Sequence, residues 1–256
     1  MNRTLRLGAL LIMSTLVAVA GDLTITFQNS GKYNEGKSVQ LYSADFTRTN
    51  HEGTKKDHLV DFKNGVSYAI DHGKKKIDKT TFEDLAAAAE AMEAQMAKLK
   101  EQMANMPDFL KKMTGDPNNF SVDELGKDTV AGRKCNAYKM VVAKLEMEMS
   151  LDHSLKIPTN PAHMLRFAKF QGLIQGGGGP AAGSYKRLYE EMAKLKGVTL
   201  KTKTKIPFVG GEAISEAIKV EEGAIPASAF ALPQGYVMED VGKKMVEQAR
   251  KSVGRR

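Results

Sequence analysis

The sequence predicts an α+β protein in which an antiparallel β-sheet packs against one long helix. Three features of the 256-residue chain support this fold class. Runs of alternating apolar and polar residues predict strands, and Asn64-Gly65 between two such runs predicts a hairpin. A stripe of apolar residues at spacings of three and four predicts a helix over about residues 82–113. The strands before and after this helix should belong to one sheet, because neither set alone could bury it.

The first 20 residues have the features of a secretory signal peptide. Arg3 and Arg6 precede an apolar run over residues 7–17, and Ala18-Val19-Ala20 is the small-x-small pattern that signal peptidase recognises. The run is shorter than the roughly 20 apolar residues of a transmembrane helix. We therefore expect cleavage after Ala20 and export of a soluble protein to the periplasm or the cell exterior, with a single domain over residues 21–256.

The region from about residue 22 to residue 81 predicts an antiparallel meander. Alternation is clearest over residues 22–29, 58–62, 66–71 and 77–81, and one further strand is expected from Val39 on to Phe46. Clusters of Gly and Asn separate these runs, and Asn64-Gly65 is the strongest local hairpin signal. We therefore expect five consecutive strands joined by tight turns.

The apolar stripe of the long helix is rich in methionine. Its members share one helix face: Leu85, Ala89, Met92, Met96, Leu99, Met103, Met106, Leu110 and Met113. Thr80 with Glu83, or Thr81 with Asp84, would cap the first turn. Pro107 predicts a break in the straight part of the helix. A stripe this wide needs a surface that buries it.

The rest of the chain predicts strands, then helices, then strands again. A second strand run is expected over about residues 120–157, and helices over about 161–175 and 184–196. Asn160-Pro161 has the residue types of a helix start, a cap followed by a first-turn proline. Two strands are expected over about 198–221, followed by an extended proline-containing segment and a helix within about 225–253.

Four motifs give the chain a resemblance to an exported bacterial family. They are Tyr42-Ser43-Ala44-Asp45-Phe46-x-Arg48-Thr49-Asn50, Asp61-Phe62-Lys63-Asn64-Gly65-Val66-x-Tyr68-x-Ile70-Asp71, Thr129-Val130-Ala131-Gly132-x-Lys134-Cys135-x-x-Tyr138 and Phe230-x-Leu232-Pro233-x-Gly235-Tyr236. Their order resembles the domain of unknown function (DUF) 4412, a family similar in architecture to the periplasmic carriers of lipoproteins, the LolA-like proteins. The resemblance implies a strongly curved sheet, an open half-barrel whose concave face is covered by helices that enclose an apolar cavity.

Composition and charge bear on the partners. The formal net charge is +8, and lysines cluster at residues 74–76 and alternate along residues 201–205. Such stripes are usually solvated strand faces, with an anionic membrane surface as the alternative. We expect no nucleic-acid partner, because tryptophan is absent and no aromatic residues interleave with the basic ones. Cys135, the single cysteine, lies in an alternating run and is expected to be buried, with an intermolecular disulfide or a reactive thiol as the alternative.

No sequence motif predicts catalysis, a cofactor or a metal site. The chain has no Gly-x-Ser-x-Gly, no His-Glu-x-x-His and no Walker loop, and its five histidines are scattered. The thioethers of Met147 and Met149, with Met92 and Met96 one helical turn apart, could bind Cu(I), but no His or Cys neighbour completes such a site. An enzyme would need a polar cluster gathered in space from residues such as Asp45, Arg48, Asp71 and His72.

The methionine stripe leads to the functional hypothesis. Methionine is flexible and polarizable, which suits a wall that adapts to varied apolar ligands. The expected ligand-binding residues are Met92, Met96, Leu99, Met103 and Met106. Plain core packing and a heptad seam for self-association are alternatives, so the oligomeric state stays open. We expect an exported, non-catalytic protein that carries a lipid or other apolar ligand in the envelope. The alternative is an envelope interaction protein that acts through its helical or basic surface without a ligand cavity.

Overall fold

A computed structural model describes residues 21–31, 35–88, 90–91, 120–142, 145–160, 162–163, 191–192, 194–205 and 211–254. Within these ranges, twelve strands form one sheet. The strands are β1 (Leu23–Ser30), β2 (Gly36–Tyr42), β3 (Phe46–His51), β4 (Lys56–Asp61), β5 (Val66–Asp71), β6 (Lys76–Thr81), β7 (Phe120–Val130), β8 (Arg133–Val142), β9 (Leu145–Asp152), β10 (Val198–Lys205), β11 (Glu212–Glu222) and β12 (Val237–Asp240).

The two strand runs join through their inner strands. The order across the sheet is β12-β6-β5-β4-β3-β2-β1-β11-β10-β9-β8-β7, so β1 and β11 link the run before the helical region to the run after it. Neighbouring strands are antiparallel except β12 and β6, which are parallel. The expectation that both runs share one sheet is therefore confirmed.

The β7–β11 half of the sheet is strongly bent. Cα atoms of β7 and β11 approach within 8 Å, although β8, β9 and β10 lie between these strands. In a flat sheet, four strand spacings would separate them by about 19 Å. Register shifts at Thr26/Phe27 and between Thr199 and Lys201 place bulges in the central strands, and bulges bend and twist a sheet.

The first strand run differs from expectation by one strand. The prediction of a single strand from Val39 to Phe46 was wrong, because the chain turns after Tyr42 and six strands precede the helical region. The turn depends on Ser43, whose hydroxyl accepts a hydrogen bond from the Phe46 N–H (3.1 Å) and whose own N–H donates to the Phe46 carbonyl (2.9 Å). Serine stabilises turns in this way.

The C-terminal region also differs. An extended segment and a helix were expected within about residues 225–253, but a short strand that was not expected, β12 over Val237–Asp240, lies between them, and the helix begins at Val241. A four-residue strand is too short to show a period of two, and its pairing with β6 is fixed by contacts remote in sequence. We name two of the described helices α1 (residues 82–88) and α2 (Val241–Gly254), and a short 3-10 helix spans Ala227–Phe230.

Cross-strand pairs define two faces of β1–β6, because directly opposed residues point to the same side. The helix face carries Val60, which packs with α1 and with Met245 of α2. The strap face carries Leu59 and Ile70, which pack with Phe230 from residues 223–236, a segment that we call the strap. The sheet is therefore covered by helices on one side and by an extended C-terminal segment on the other.

α1 begins with a reciprocal cap. The Thr81 hydroxyl donates to Asp84 Oδ2 (2.6 Å), and the Asp84 N–H donates to Thr81 Oγ1 (3.0 Å). This is the second of the two capping pairs that the sequence allowed. Further along the chain, Asn160 Oδ1 accepts the N–H of Ala162 (2.9 Å), as a cap residue does. Most of the helices expected over residues 161–175 and 184–196 lies outside the described residues.

Candidate functional site

The residues expected to line a ligand cavity all lie outside the described part of the chain: Met92, Met96, Leu99, Met103 and Met106. The start of their stripe is described. Leu85 is 2% exposed and packs with Val60, Phe62 and Phe82 on the helix face. The apolar stripe therefore begins in contact with the sheet, and its ligand-binding role stays a prediction.

Beside this apolar contact, the helix face of β2–β4 is polar. Gln40, Thr49 and His58 form one cross-strand row. Tyr42 donates a hydrogen bond to Gln40 Oε1, and His58 Nε2 lies 2.8 Å from the Ser67 hydroxyl. Burial raises the pKa of Tyr42 to about 12 and lowers the pKa of His58. Both shifts favour the neutral side chain, so this surface presents uncharged hydrogen-bonding groups.

The helix face of β1 is packed rather than open. Leu23, Ile25 and Phe27 are at most 5% exposed and cluster with Val198 and Leu200 of β10. The described part of this cluster is therefore a buried apolar core. The polar row of β2–β4 lies beside this core, on the same face of the sheet as the start of α1.

Met147 and Met149 lie on one face of β9, as their spacing predicts. Met149 is 2% exposed and packs with Met140, while Met147, Met192 and Leu195 lie around them. These thioethers are part of an apolar core, which is a sufficient role for them. In the ranges that the structure describes, no group of three or more His, Cys, Asp or Glu side chains is arranged to hold a metal ion.

A polar network lies on the opposite side, the strap face. Asp57 Oδ2 accepts hydrogen bonds from Arg48 Nη2 (2.6 Å) and lies 2.9 Å from His72 Nε2. His72 Nδ1 in turn lies 2.9 Å from the Tyr236 hydroxyl. The side chains of Arg48 and Asp57 are each 11% exposed. The network therefore joins β3, β4, the β5–β6 turn and the strap, with its Arg48–Asp57 pair largely shielded from water and His72 one-third exposed.

The network holds the strap in place. Arg48 Nη1 donates to the carbonyls of Ala229 (2.9 Å) and Ala231 (3.1 Å). Phe230 between them stacks on Phe46, with ring centroids 5.4 Å apart. The guanidinium is thus directed at carbonyls of this chain and at Asp57, so the geometry is that of a structural clamp rather than of a site that receives a substrate.

The structure brings together only part of the polar cluster that the sequence suggested. Arg48 and His72 meet, but through Asp57, which the sequence analysis did not single out. Asp71 accepts the Lys74 N–H in a turn, and this hydrogen bond is the main cause of its lowered pKa. Asp45 is exposed at the β2–β3 turn. Arg48 and Tyr236 each belong to one of the four sequence motifs. Their place in these motifs was the sequence signal that could have indicated the strap-face network.

An open groove of about 410 Å³ lies where the strap leaves β11. Thr24 and Leu41 lie on its sheet side, and Ile225 and Ala229 on its strap side. Glu221 and Glu222 also line the groove, and their carboxylates lie 2.9 Å from Lys219 and 3.7 Å from Arg133. The groove therefore offers a small, mixed surface with its charge largely balanced.

The lysine stripe of β10 is a ladder of ion pairs. Each lysine lies 3.0–3.3 Å from a glutamate on a neighbouring strand: Lys201 with Glu216, Lys203 with Glu212 and Lys205 with Glu146. Hydrogen bonds from Lys205 and Lys139 lower the pKa of Glu146. These contacts balance the positive charge that the sequence pattern suggested could attract an anionic membrane.

Cys135 is 1% exposed, as expected. Burial, the largest influence, raises the pKa of its thiol. A buried thiol with a raised pKa holds little thiolate at neutral pH and is poorly reactive. Cys135 is accordingly a small core side chain in the cluster that contains Leu23 and Leu200.

Comparisons with known proteins add a family and distant structural likenesses. A family model described as "Domain of unknown function (DUF4412)" matches residues 62–236. No curated protein sequence matches the chain. Within the described residues, no helix has both the length and the apolarity needed to cross a bilayer.

Three solved structures show the range of the structural likenesses. PNGF-II is 15% identical with a TM-score of 0.43 over 90% of this chain, which spans only 34% of PNGF-II. An uncharacterized conserved protein from Thermus thermophilus is 8% identical with a TM-score of 0.43, over 87% of this chain and 91% of that one. A LolA superfamily protein from Nitrosomonas europaea is 5% identical with a TM-score of 0.27, over 83% and 90% of the two chains.

Proposed function

The chain belongs to the DUF4412 family, as its sequence motifs predicted, and on that premise we propose that it is a non-catalytic binding protein for a lipid or other apolar ligand. The observation that carries the proposal is the burial of Leu85. This first residue of the methionine stripe is 2% exposed and packs on the helix face of the sheet. By their sequence spacing, Met92, Met96, Leu99, Met103 and Met106 continue the same stripe.

We further propose that the sheet is the open half-barrel of a LolA-like protein, with the helices on its concave side. The bend that brings β7 within 8 Å of β11 supports this shape, as does the position of α1 and α2 on one face. The polar row of Gln40, Thr49 and His58 on that face would meet the polar end of an amphiphile, and the methionine stripe its apolar chain.

The site of action in this proposal is the cell envelope. Its support is the sequence of residues 3–20, which has the basic, apolar and small-residue regions of a signal peptide. The strap-face network supports a non-catalytic role, because Arg48 is engaged by Asp57 and by two strap carbonyls. The alternative of docking through basic surface receives less support, because the lysines of β10 are paired with glutamates.

Titration of the purified, detergent-free protein with a fluorescent long-chain fatty acid tests the proposal. We expect saturable binding that weakens about tenfold or more when Met96→Gln places a polar group on the stripe. Met238→Gln is the matched control, because Met238 is 49% exposed on β12 and should leave affinity unchanged. Equal affinity of the wild type and Met96→Gln, or no saturable binding by the wild type, would refute the proposal.

A further inference from the structure

We infer that residues 223–254 form a clasp that couples the strap face of the sheet to the first turn of α1 on the opposite face. The segment begins as the strap, where Phe230 packs with Leu59 and Ile70. It ends as α2, where Met245 packs with Val60 and Leu85. Between them β12 pairs with β6, so the chain passes around this edge of the sheet.

The strap end of the clasp has three polar anchors. The Ile225 N–H donates to Asp22 Oδ2 (2.9 Å), Arg48 donates to the Ala229 and Ala231 carbonyls, and Tyr236 meets His72. Of these, Arg48 is the anchor with the most partners, because it also binds Asp57. Replacing its guanidinium leaves two strap carbonyls without their donor and leaves the Asp57 carboxylate with His72 as its remaining partner.

The joint at the sheet edge depends on backbone pairing. The Val237 N–H donates to the Lys75 carbonyl (3.0 Å), and β12 continues in parallel register along β6. The side chains of Val237 and Met238 are 66% and 49% exposed, so they contribute little burial. A displacement of the strap therefore acts directly on β12, which backbone pairing and the ion pair of Glu239 with Lys76 (3.3 Å) hold to β6 with little apolar packing.

The helix end of the clasp rests directly on the start of α1. A Cβ added at Gly242 would lie only 2.6 Å from Asp84 Oδ2 and 2.8 Å from Asp84 Cβ. Asp84 is also the residue that caps α1 through Thr81. Glycine at position 242 thus permits the close approach of α2 to the cap, and the position of α2 bears on the turn that precedes Leu85.

Two faces joined by one continuous segment should respond to each other. A change that loosens the strap should loosen α1, and a change at the α2 contact should loosen the strap, because coupling free energies are reciprocal. The consequence for ligand rests on the proposed function: if the stripe holds an apolar ligand, loosening the strap weakens ligand retention on the far side of the sheet.

Hydrogen exchange of the full chain, read by mass spectrometry, tests the coupling without any ligand. For Arg48→Met we expect exchange about tenfold faster or more in residues 225–236 and also in residues 82–88 and 241–251. Gly242→Val tests the coupling in the opposite direction, from α2 to the strap. It should give faster exchange in residues 82–88 and also in residues 225–236. Tyr236→Phe, which removes one hydroxyl, should give the same pattern as Arg48→Met at smaller size.

Ser150→Ala is the control. The Ser150 hydroxyl donates to Asp128 Oδ2 (2.6 Å) and joins β9 to β7 in the other half of the sheet, so its loss should leave residues 82–88 and 225–236 at the wild-type rate. Faster exchange confined to residues 225–236 in Arg48→Met and Tyr236→Phe would overturn the inference. An equal increase in the exchange rate of β10 in Arg48→Met would also overturn the inference, because Arg48 would then stabilise the whole sheet. The fatty-acid titration is a separate measurement, so coupling without binding rejects only the proposed function, and binding without coupling rejects only the clasp.

Discussion

Replacement of Leu85 by alanine should destabilise the protein by about 3–4 kcal/mol. Leu85 is 2% exposed and lies among Val60, Phe62 and Phe82. Loss of three buried carbons removes about 2.4 kcal/mol of transfer free energy at roughly 0.8 kcal/mol per methylene. The remainder is the cavity term, which should be present because two aromatic rings and a β-branched side chain cannot collapse fully into the space.

Equilibrium unfolding in urea, followed by circular dichroism, measures this change. Leu125→Ala is the matched control: Leu125 lies at the bulge in β7, is 54% exposed and should change the free energy of unfolding by less than about 0.5 kcal/mol. The comparison is valid when both variants keep the wild-type dependence on urea. A loss of less than about 1 kcal/mol for Leu85→Ala would refute the reasoning that the stripe is anchored on the sheet.

Three further changes test the electrostatic account. Burial raises the pKa of Tyr42 to about 12. The neutral tyrosine therefore contributes fully to stability below the unfolded-state pKa near 10, and this contribution is lost as the pH rises towards 12. In thermal melts, Tyr42→Phe should reduce this loss of stability at alkaline pH. A hydrogen bond from the Ser150 hydroxyl lowers the pKa of Asp128. The Asp128 carboxylate therefore contributes to stability above the unfolded-state pKa near 4, and this contribution is lost on acidification. In urea titrations, Asp128→Asn should lower the free energy of unfolding less at pH 3 than at pH 7. Lys203→Met should change the free energy of unfolding by less than about 1 kcal/mol, because its pair with Glu212 is largely exposed.

Local signals in the sequence predicted the parts of the fold that depend on neighbouring residues. Asn64-Gly65 predicted the turn between β4 and β5, where Gly65 has a φ of 63°. Thr81 with Asp84, which forms the cap of α1, was one of the two pairs that the sequence allowed, because capping needs only two residues three apart. The break between β2 and β3 was missed because Ser43 is a weaker turn former than Gly or Pro, and the apolar alternation runs on through it.

Contacts that depend on strand register could not be predicted. Asp57 joins Arg48 because β3 and β4 pair with Asn50 opposite Asp57, which places the arginine two residues along on the same face. A shift of one residue would send Asp57 to the other face, and the sequence carries no marker of this choice. Likewise, alternation in β2–β4 shows that one face is polar, but only the position of α1 shows that the helices cover it.

The strap illustrates the same limit over a longer distance. Its apolar and proline residues predicted an extended segment, and the motif around Tyr236 suggested that it matters. The partner of Tyr236, His72, lies 164 positions away in sequence. The three other residues of its clamp, Arg48, Asp57 and Phe46, come from two more strands. Tertiary packing of this kind is what a single sequence cannot supply.

Native mass spectrometry of protein purified from the exported fraction without detergent tests the central claim most directly. If the chain carries an apolar ligand, the spectrum should show a discrete added mass of lipid size, which Met96→Gln should reduce and Met238→Gln should leave in place. A spectrum of bare polypeptide for the wild type, with no added mass after incubation with envelope lipids, would contradict the account.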